Sequence, residues 1–240
     1  MEKNKDRIEI IDGLRGLSVI LMVIHHLLYN LAAFLNAPWW LFTNPIFDFL
    51  QYIFAGLFIF LSGVSSRFSR SNIKRGLIAL ALAMGITVVT NIIEMPIWWG
   101  VLHLLGFCML FFGLTRVLWD LIPKNAAPVI FIALIVATAL ARSYASPMPE
   151  QTVPGIIVSI LGWRQPGFRS FDYYPILPWL FVFLLGTWAG IHIRDRKLPE
   201  RFYEQKVPCF PVVGRKALLI YILHQPILYG IIMGIRHLFF

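Results

Sequence analysis

The chain predicts an all-α fold, a polytopic membrane helix bundle of about seven transmembrane helices with its N-terminus cytoplasmic and its C-terminus outside. Three observations carry this. Of 240 residues, 58% are hydrophobic, with eight Trp, twenty Phe and a mean hydropathy of +0.73, which is too apolar throughout for a soluble domain with a polar shell. Apolar stretches of the roughly 20 residues that a spanning helix needs recur along the whole length. Basic residues cluster in alternate connections: sixteen fall on one side, in 3–7, 67–75, 116–124 and 194–216, against four on the other, Arg142, Arg164, Arg169 and Arg236. That asymmetry is the positive-inside pattern of seven helices entered from the cytoplasm.

Taken in order, the candidate spans centre on residues 12–34, 47–65, 76–94, 98–119, 127–142, 173–193 and 216–238. The first has the basic start of a secretory leader. Asp12 and Arg15 interrupt its core, however, and no small-residue cleavage site closes it, so it is expected to stay as a helix. The outer connections are short except 143–172, a loop holding Pro147, Pro149, Pro154 and Pro166. No repeat, low-complexity tract or soluble domain interrupts the series, and residues 1–240 read as one integral-membrane domain. Cys108 falls inside a span and Cys209 in a cytoplasmic connection, which argues against a disulfide framework. The net charge of +9 reflects topology, because no basic stripe with interleaved aromatics offers a nucleic-acid surface.

Polar residues inside apolar spans are costly and therefore mark function. On the first helix, Arg15 and His26 are eleven steps apart, which at roughly 100° per residue returns them to within about 20° of one another. Asp12, Met22 and Asn30 share that stripe, whereas His25 points about 100° away, so His26 is the reactive candidate of the pair. At about 1.5 Å per residue, Arg15 lies near the cytoplasmic boundary and His26 some 16 Å beyond it. The plain alternative is an arginine that snorkels to headgroups and a histidine that only bonds a neighbouring helix.

His103, after Trp98-Trp99-Gly100, is expected in the outer half at a depth close to that of His26. A satisfied core histidine or an interfacial one is the competing reading. His224 precedes Gln225 and Pro226 near the middle of the last span, where a proline frees a carbonyl and a bend can line a cavity. Asp172 opens the acidic, aromatic entry to the sixth span, and Asp48 and Glu94 belong to the same side. Any of the three carboxylates could orient an imidazole or accept a substrate hydroxyl, although a solvated loop charge is the commoner case. Arg215 and Lys216 join Arg15 at the inner side, where they could hold a phosphorylated ligand, though topology alone also asks for basic residues there. Basic groups inside and imidazoles outside suit a donor with phosphates at one end and a reactive acyl group at the other. A neutral imidazole could then take a proton from the attacking group or itself receive the acyl group.

Ile11-Asp12-Gly13-Leu14-Arg15-Gly16-Leu17 followed by His26 resembles the first-helix motif of transmembrane acyltransferases, an arginine and a histidine with ten residues between them. Trp98 to His103, Asp172 to Trp179 and Gly214 to Pro226 favour the heparan-α-glucosaminide N-acetyltransferase catalytic-domain family and its small bacterial members over the surface-polysaccharide O-acyltransferases. The resemblance covers nearly the whole chain. It implies an enzyme, an integral-membrane acetyltransferase of the bacterial cytoplasmic membrane, taking acetyl from cytoplasmic acetyl-CoA to a glycan or amino-sugar acceptor at the outer face. On that analogy His26 carries the chemistry with Asp172 and His103 in the catalytic set. Arg15, Arg215 and His224 serve the acetyl-CoA side, with no metal and no haem. Asn30 stands where many bacterial relatives have an aspartate, and the chain has fewer helices than the O-acyltransferases.

Three other functions fit the composition less well. A b-type haem carrier would need a paired-ligand pattern, and there is no C-x-x-C-H site. A retinal protein would need a buried lysine, whereas Lys216 sits at the cytoplasmic edge. The serious alternative is a non-enzymatic transporter or export scaffold using the same polar path. Gly186-x-x-x-Gly190 and Gly230-x-x-x-Gly234 permit close helix contact within or between chains, so they do not fix the oligomeric state.

Overall fold

The computed structural model describes residues 7–142 and 153–239. Lys3 and Lys5 of the basic N-terminus and Pro147 and Pro149 of the long connection lie outside the described residues. In chain order the helices are α1 (Glu9–Phe34), α2 (Pro45–Ser66), α3 (Asn72–Ile92), α4 (Val101–Asp120), α5 (Ala127–Ala141), α6 (Val153–Leu161), α7 (Ile176–Arg194), α8 (Glu200–Glu204), α9 (Phe210–Arg215) and α10 (Ala217–Phe239). A single 3-10 turn, Trp39–Leu41, separates α1 from α2. Among the described residues the chain is thus an all-helical polytopic bundle, with six helices long and apolar enough to cross a membrane: α1, α2, α3, α4, α7 and α10.

The expectation of about seven helices is met by these six together with α5, the shorter apolar helix at the fifth expected span. Its 15 residues rise only about 22 Å, short of a hydrocarbon core of about 30 Å. It nevertheless packs along α7. Trp188 Nε1 of α7 donates to the Lys124 carbonyl at 2.8 Å near the start of α5, and at its end Arg142 Nε donates to the carbonyl of Gly162, just past α6, at 2.8 Å. The connection expected as a plain outer loop also holds α6, and the inner connection before α10 holds α8 and α9. Trp98, Trp99 and Gly100 stand before α4 rather than inside it. Pro226 is carried within α10, which continues through it.

Two compact units divide the chain, with the division falling within α2. The first holds residues through Leu61 and those from Arg196 onward, and the second holds Ser62–Asp195.

The first unit is organised around α1 and the short α9. Methyl groups placed on Gly16 or Gly214 would run into the Phe210 and Asp12 carbonyls respectively, so these two backbones meet at a distance only glycine allows. The Glu9 carboxylate adds to the seam, accepting from the Val207 N–H at 3.1 Å and from Lys206 Nζ at 3.3 Å. In the second unit, Phe112, Phe183, Leu104, Leu184 and Cys108 form the fully buried centre. Outward faces stay apolar: Leu77, Ile78, Met84 and Val88 on α3 and Leu219, Leu223, Ile227 and Ile231 on α10 are exposed, as a lipid solvent requires.

Candidate active site

In the first unit α1 and α10 bring His26 and His224 together, 198 residues apart in sequence. Nε2 of His224 lies 3.2 Å from Nδ1 of His26, with ring centroids 4.8 Å apart. The protons can be assigned from the partners. Nδ1 of His224 faces the Tyr221 carbonyl at 2.7 Å and the Ile220 carbonyl at 3.2 Å. A carbonyl oxygen only accepts, so this nitrogen carries the proton, and Nε2 of the neutral ring holds the lone pair. Nδ1 of His26 therefore faces two acceptors, that lone pair and the Met22 carbonyl at 3.1 Å, and donates to them. The lone pair of His26 then resides on Nε2, which has no partner among the described residues.

One turn further along, Asn30 Nδ2 donates to Gln225 Oε1 at 3.0 Å. Asn30 is 1% exposed and His224 8%, so α1 and α10 are joined by two successive polar contacts in a buried seam. His25 packs on Phe42, with ring centroids 4.7 Å apart, and meets the His26 ring only edge-on at 6.0 Å. Three turns before His26, Arg15 Nη1 donates to Asp12 Oδ1 at 3.0 Å, with both side chains largely buried. Gly214 lies against the Asp12 backbone, so Arg15 and the exposed Arg215 belong to the same end of the first unit. A phosphorylated group arriving there would meet two guanidiniums, one of them already held in place by a carboxylate.

His103 and Asp172 lie in the second unit, where their partners build the start of α4. Asp172 Oδ2 accepts from the Val101 N–H at 3.0 Å, satisfying one of the open donors of the first turn. A methyl on Gly100 would collide with this carboxylate, which explains a glycine directly before the helix. Two backbone bonds tie the same stretch down, Phe171 N–H to the Pro96 carbonyl at 3.1 Å and Tyr174 N–H to the Trp99 carbonyl at 3.0 Å. His103, 2% exposed, uses both ring nitrogens: Nδ1 accepts from the Gly100 N–H at 3.2 Å and Nε2 donates to Thr87 Oγ1 at 3.0 Å. The Thr87 hydroxyl in turn donates to the Ile97 carbonyl at 2.7 Å. Burial raises the Tyr173 hydroxyl above its ordinary pKa, keeping it protonated as it donates to the Ser159 carbonyl at 2.6 Å. Asp48 and Glu94 are exposed, and neither makes a side-chain bond among the described residues.

Of the residues expected at the site, His26, His224, Arg15 and Arg215 all fall in the first unit. Gln225 joins them unexpectedly, although an amide inside an apolar run carries a desolvation cost like that of the histidine beside it. Thr87 is likewise unexpected beside His103, since a lone hydroxyl in an apolar run carries no signal in sequence.

Residues 7–226 match the protein-family model described as Heparan-alpha-glucosaminide N-acetyltransferase, catalytic. No curated protein and no solved structure matches the chain.

Proposed function

The chain belongs to the heparan-α-glucosaminide N-acetyltransferase catalytic family, a family of membrane acetyltransferases, and from this premise we propose that it moves acetyl from cytoplasmic acetyl-CoA to a sugar or amino-sugar acceptor at the outer face. Residues 1–240 act in this reading as a single domain of the bacterial cytoplasmic membrane. His26 is the general base. Its Nε2 takes the proton of the attacking amine or hydroxyl as the acceptor atom adds to the thioester carbonyl. The carbon–sulfur bond then breaks, and the proton returns from Nε2 to the departing CoA sulfur, so the imidazole ends neutral.

One observation supports this assignment above the others. The proton of the His26 ring is held on Nδ1 by Met22 and His224, which leaves Nε2 as the basic atom without a partner among the described residues. His224 is a positioning residue for that tautomer. Arg15 and Arg215 offer charge to the phosphates of CoA, with Asp12 orienting Arg15. Asp172 and His103 act through α4, whose first turn they fix, because both are already committed to bonds there.

The test is incubation of membranes containing the protein with isotopically labelled acetyl-CoA, followed by mass spectrometry of envelope glycans and of the protein. Label in a glycan that disappears in His26→Ala, with insertion and abundance unchanged, supports the reading. Full transfer by His26→Ala refutes it. Label retained on His26 itself would replace the base with an acyl carrier.

A further inference from the structure

The second unit contains a cavity of about 170 Å³ between the ends of α4 and α7 and the start of α5, where one water needs only about 10–15 Å³. Its charged lining is Arg67, Arg116, Asp120, Lys124 and Arg194. Arg67 is the buried one, its side chain 3% exposed. Nε donates to the Thr187 carbonyl at 3.0 Å, Nη1 meets Asp120 Oδ1 at 2.6 Å, and the guanidinium carbon stands 4.8 Å over the Phe112 ring. Its Nη2 has no partner among the described residues.

Asp120 also serves Arg116, at 3.3 Å. The adjacent Asp195 serves both Lys124, at 3.9 Å, and Arg194, at 3.1 Å. Four cations thus share two carboxylates, leaving two positive charges in excess around a chamber with room for a small anion. Burial works against the Arg67 charge, pulling its pKa below the ordinary arginine value, and Asp120 only partly offsets this.

We propose that this cavity binds a phosphate group, Arg67 Nη2 and the Arg116, Lys124 and Arg194 side chains supplying the donors. Guanidinium groups match phosphate oxygens in pairs, and the excess of two positive charges is enough to neutralise either a phosphodiester or a phosphate monoester. All four cations stand at helix ends on the basic side, after α2, at the ends of α4 and α7 and before α5, the level at which lipid phosphates lie. The phosphate could come from an anionic lipid headgroup or from a soluble phosphate ester. The site is independent of the acetyl-transfer reading, since none of its residues belongs to the α1–α10 pair.

Thermal melting of the full protein in neutral detergent tests this with two probes, phosphatidylglycerol in mixed micelles and inorganic pyrophosphate, using diacylglycerol as the uncharged lipid control. The comparison is with the double variant Arg116→Gln, Lys124→Gln, whose side chains are half exposed, so that the fold is not at risk as it would be in Arg67→Ala. A saturable rise in Tm with at least one probe, with Kd weakened about tenfold or more in the variant, is expected. Response to phosphatidylglycerol alone identifies a lipid, and response to pyrophosphate identifies a soluble ester. No saturable response to either probe, or the same Kd in both proteins, overturns the proposal.

Discussion

His224→Phe separates the base from the residue that positions it. Phenylalanine keeps the ring in a site where His224 is only 8% exposed, but it removes the Nε2 acceptor 3.2 Å from His26. The Met22 carbonyl, 3.1 Å from the same His26 nitrogen, remains. The proton therefore stays on Nδ1, and the base keeps its lone pair on Nε2. What His26 loses is one neutral hydrogen bond, worth about 0.5–1.5 kcal/mol net, the His224 bonds to the Tyr221 and Ile220 carbonyls being local to α10. If that whole amount falls on the transition state, kcat drops roughly two- to twelvefold. His26→Ala, by contrast, removes the proton acceptor and should cost on the order of 10²–10⁴. The assay is the initial rate of label transfer from acetyl-CoA into glycan at matched protein abundance. A His224→Phe enzyme as inactive as His26→Ala would make residue 224 the base and refute the tautomer argument. An unchanged kcat would show that the contact does nothing for His26.

Three other substitutions probe the surroundings. His25→Ala removes a ring that packs on Phe42 and makes no hydrogen bond to either histidine of the pair, so transfer should change less than about twofold while a Tm measurement registers any loss. Gly16→Ala forces a methyl against the Phe210 carbonyl, backbone that cannot swing aside. It should lower stability by about 1–3 kcal/mol in detergent melting, and an unchanged Tm would contradict the α1–α9 seam. Asp172→Ala leaves the first turn of α4 without its acceptor and should cost about 0.5–2 kcal/mol, whereas loss of transfer with Tm unchanged would return Asp172 to the chemistry.

Much of this architecture was legible in the sequence. Long apolar runs and the charge alternation gave the helices, and the 3.6-residue period placed Arg15, His26 and Asn30 on one face of α1 before any contact was known. Other parts were hidden for identifiable reasons. α8 and α9 are too short to show a full period of apolar positions. Long-range partners escaped altogether: nothing local says that Asp172 caps a helix beginning at Val101, or that His103 turns to Thr87 on the preceding helix. The meeting of His26 with His224 was legible only as two costly residues in want of partners.

The Asn30–Gln225 contact has a consequence beyond its energy. Polar bonds between helices in a bilayer contribute on average only about 0.6 kcal/mol, so this amide pair adds little to holding α1 and α10 together. It is strongly directional, however, and a slip of one residue by either helix would swing its side chain through about 100° and leave both amides stranded in hydrocarbon. The pair works as an index mark, admitting a single rotational setting of α10 against α1, and in that setting the imidazole ring one step earlier on α10 meets its counterpart on α1.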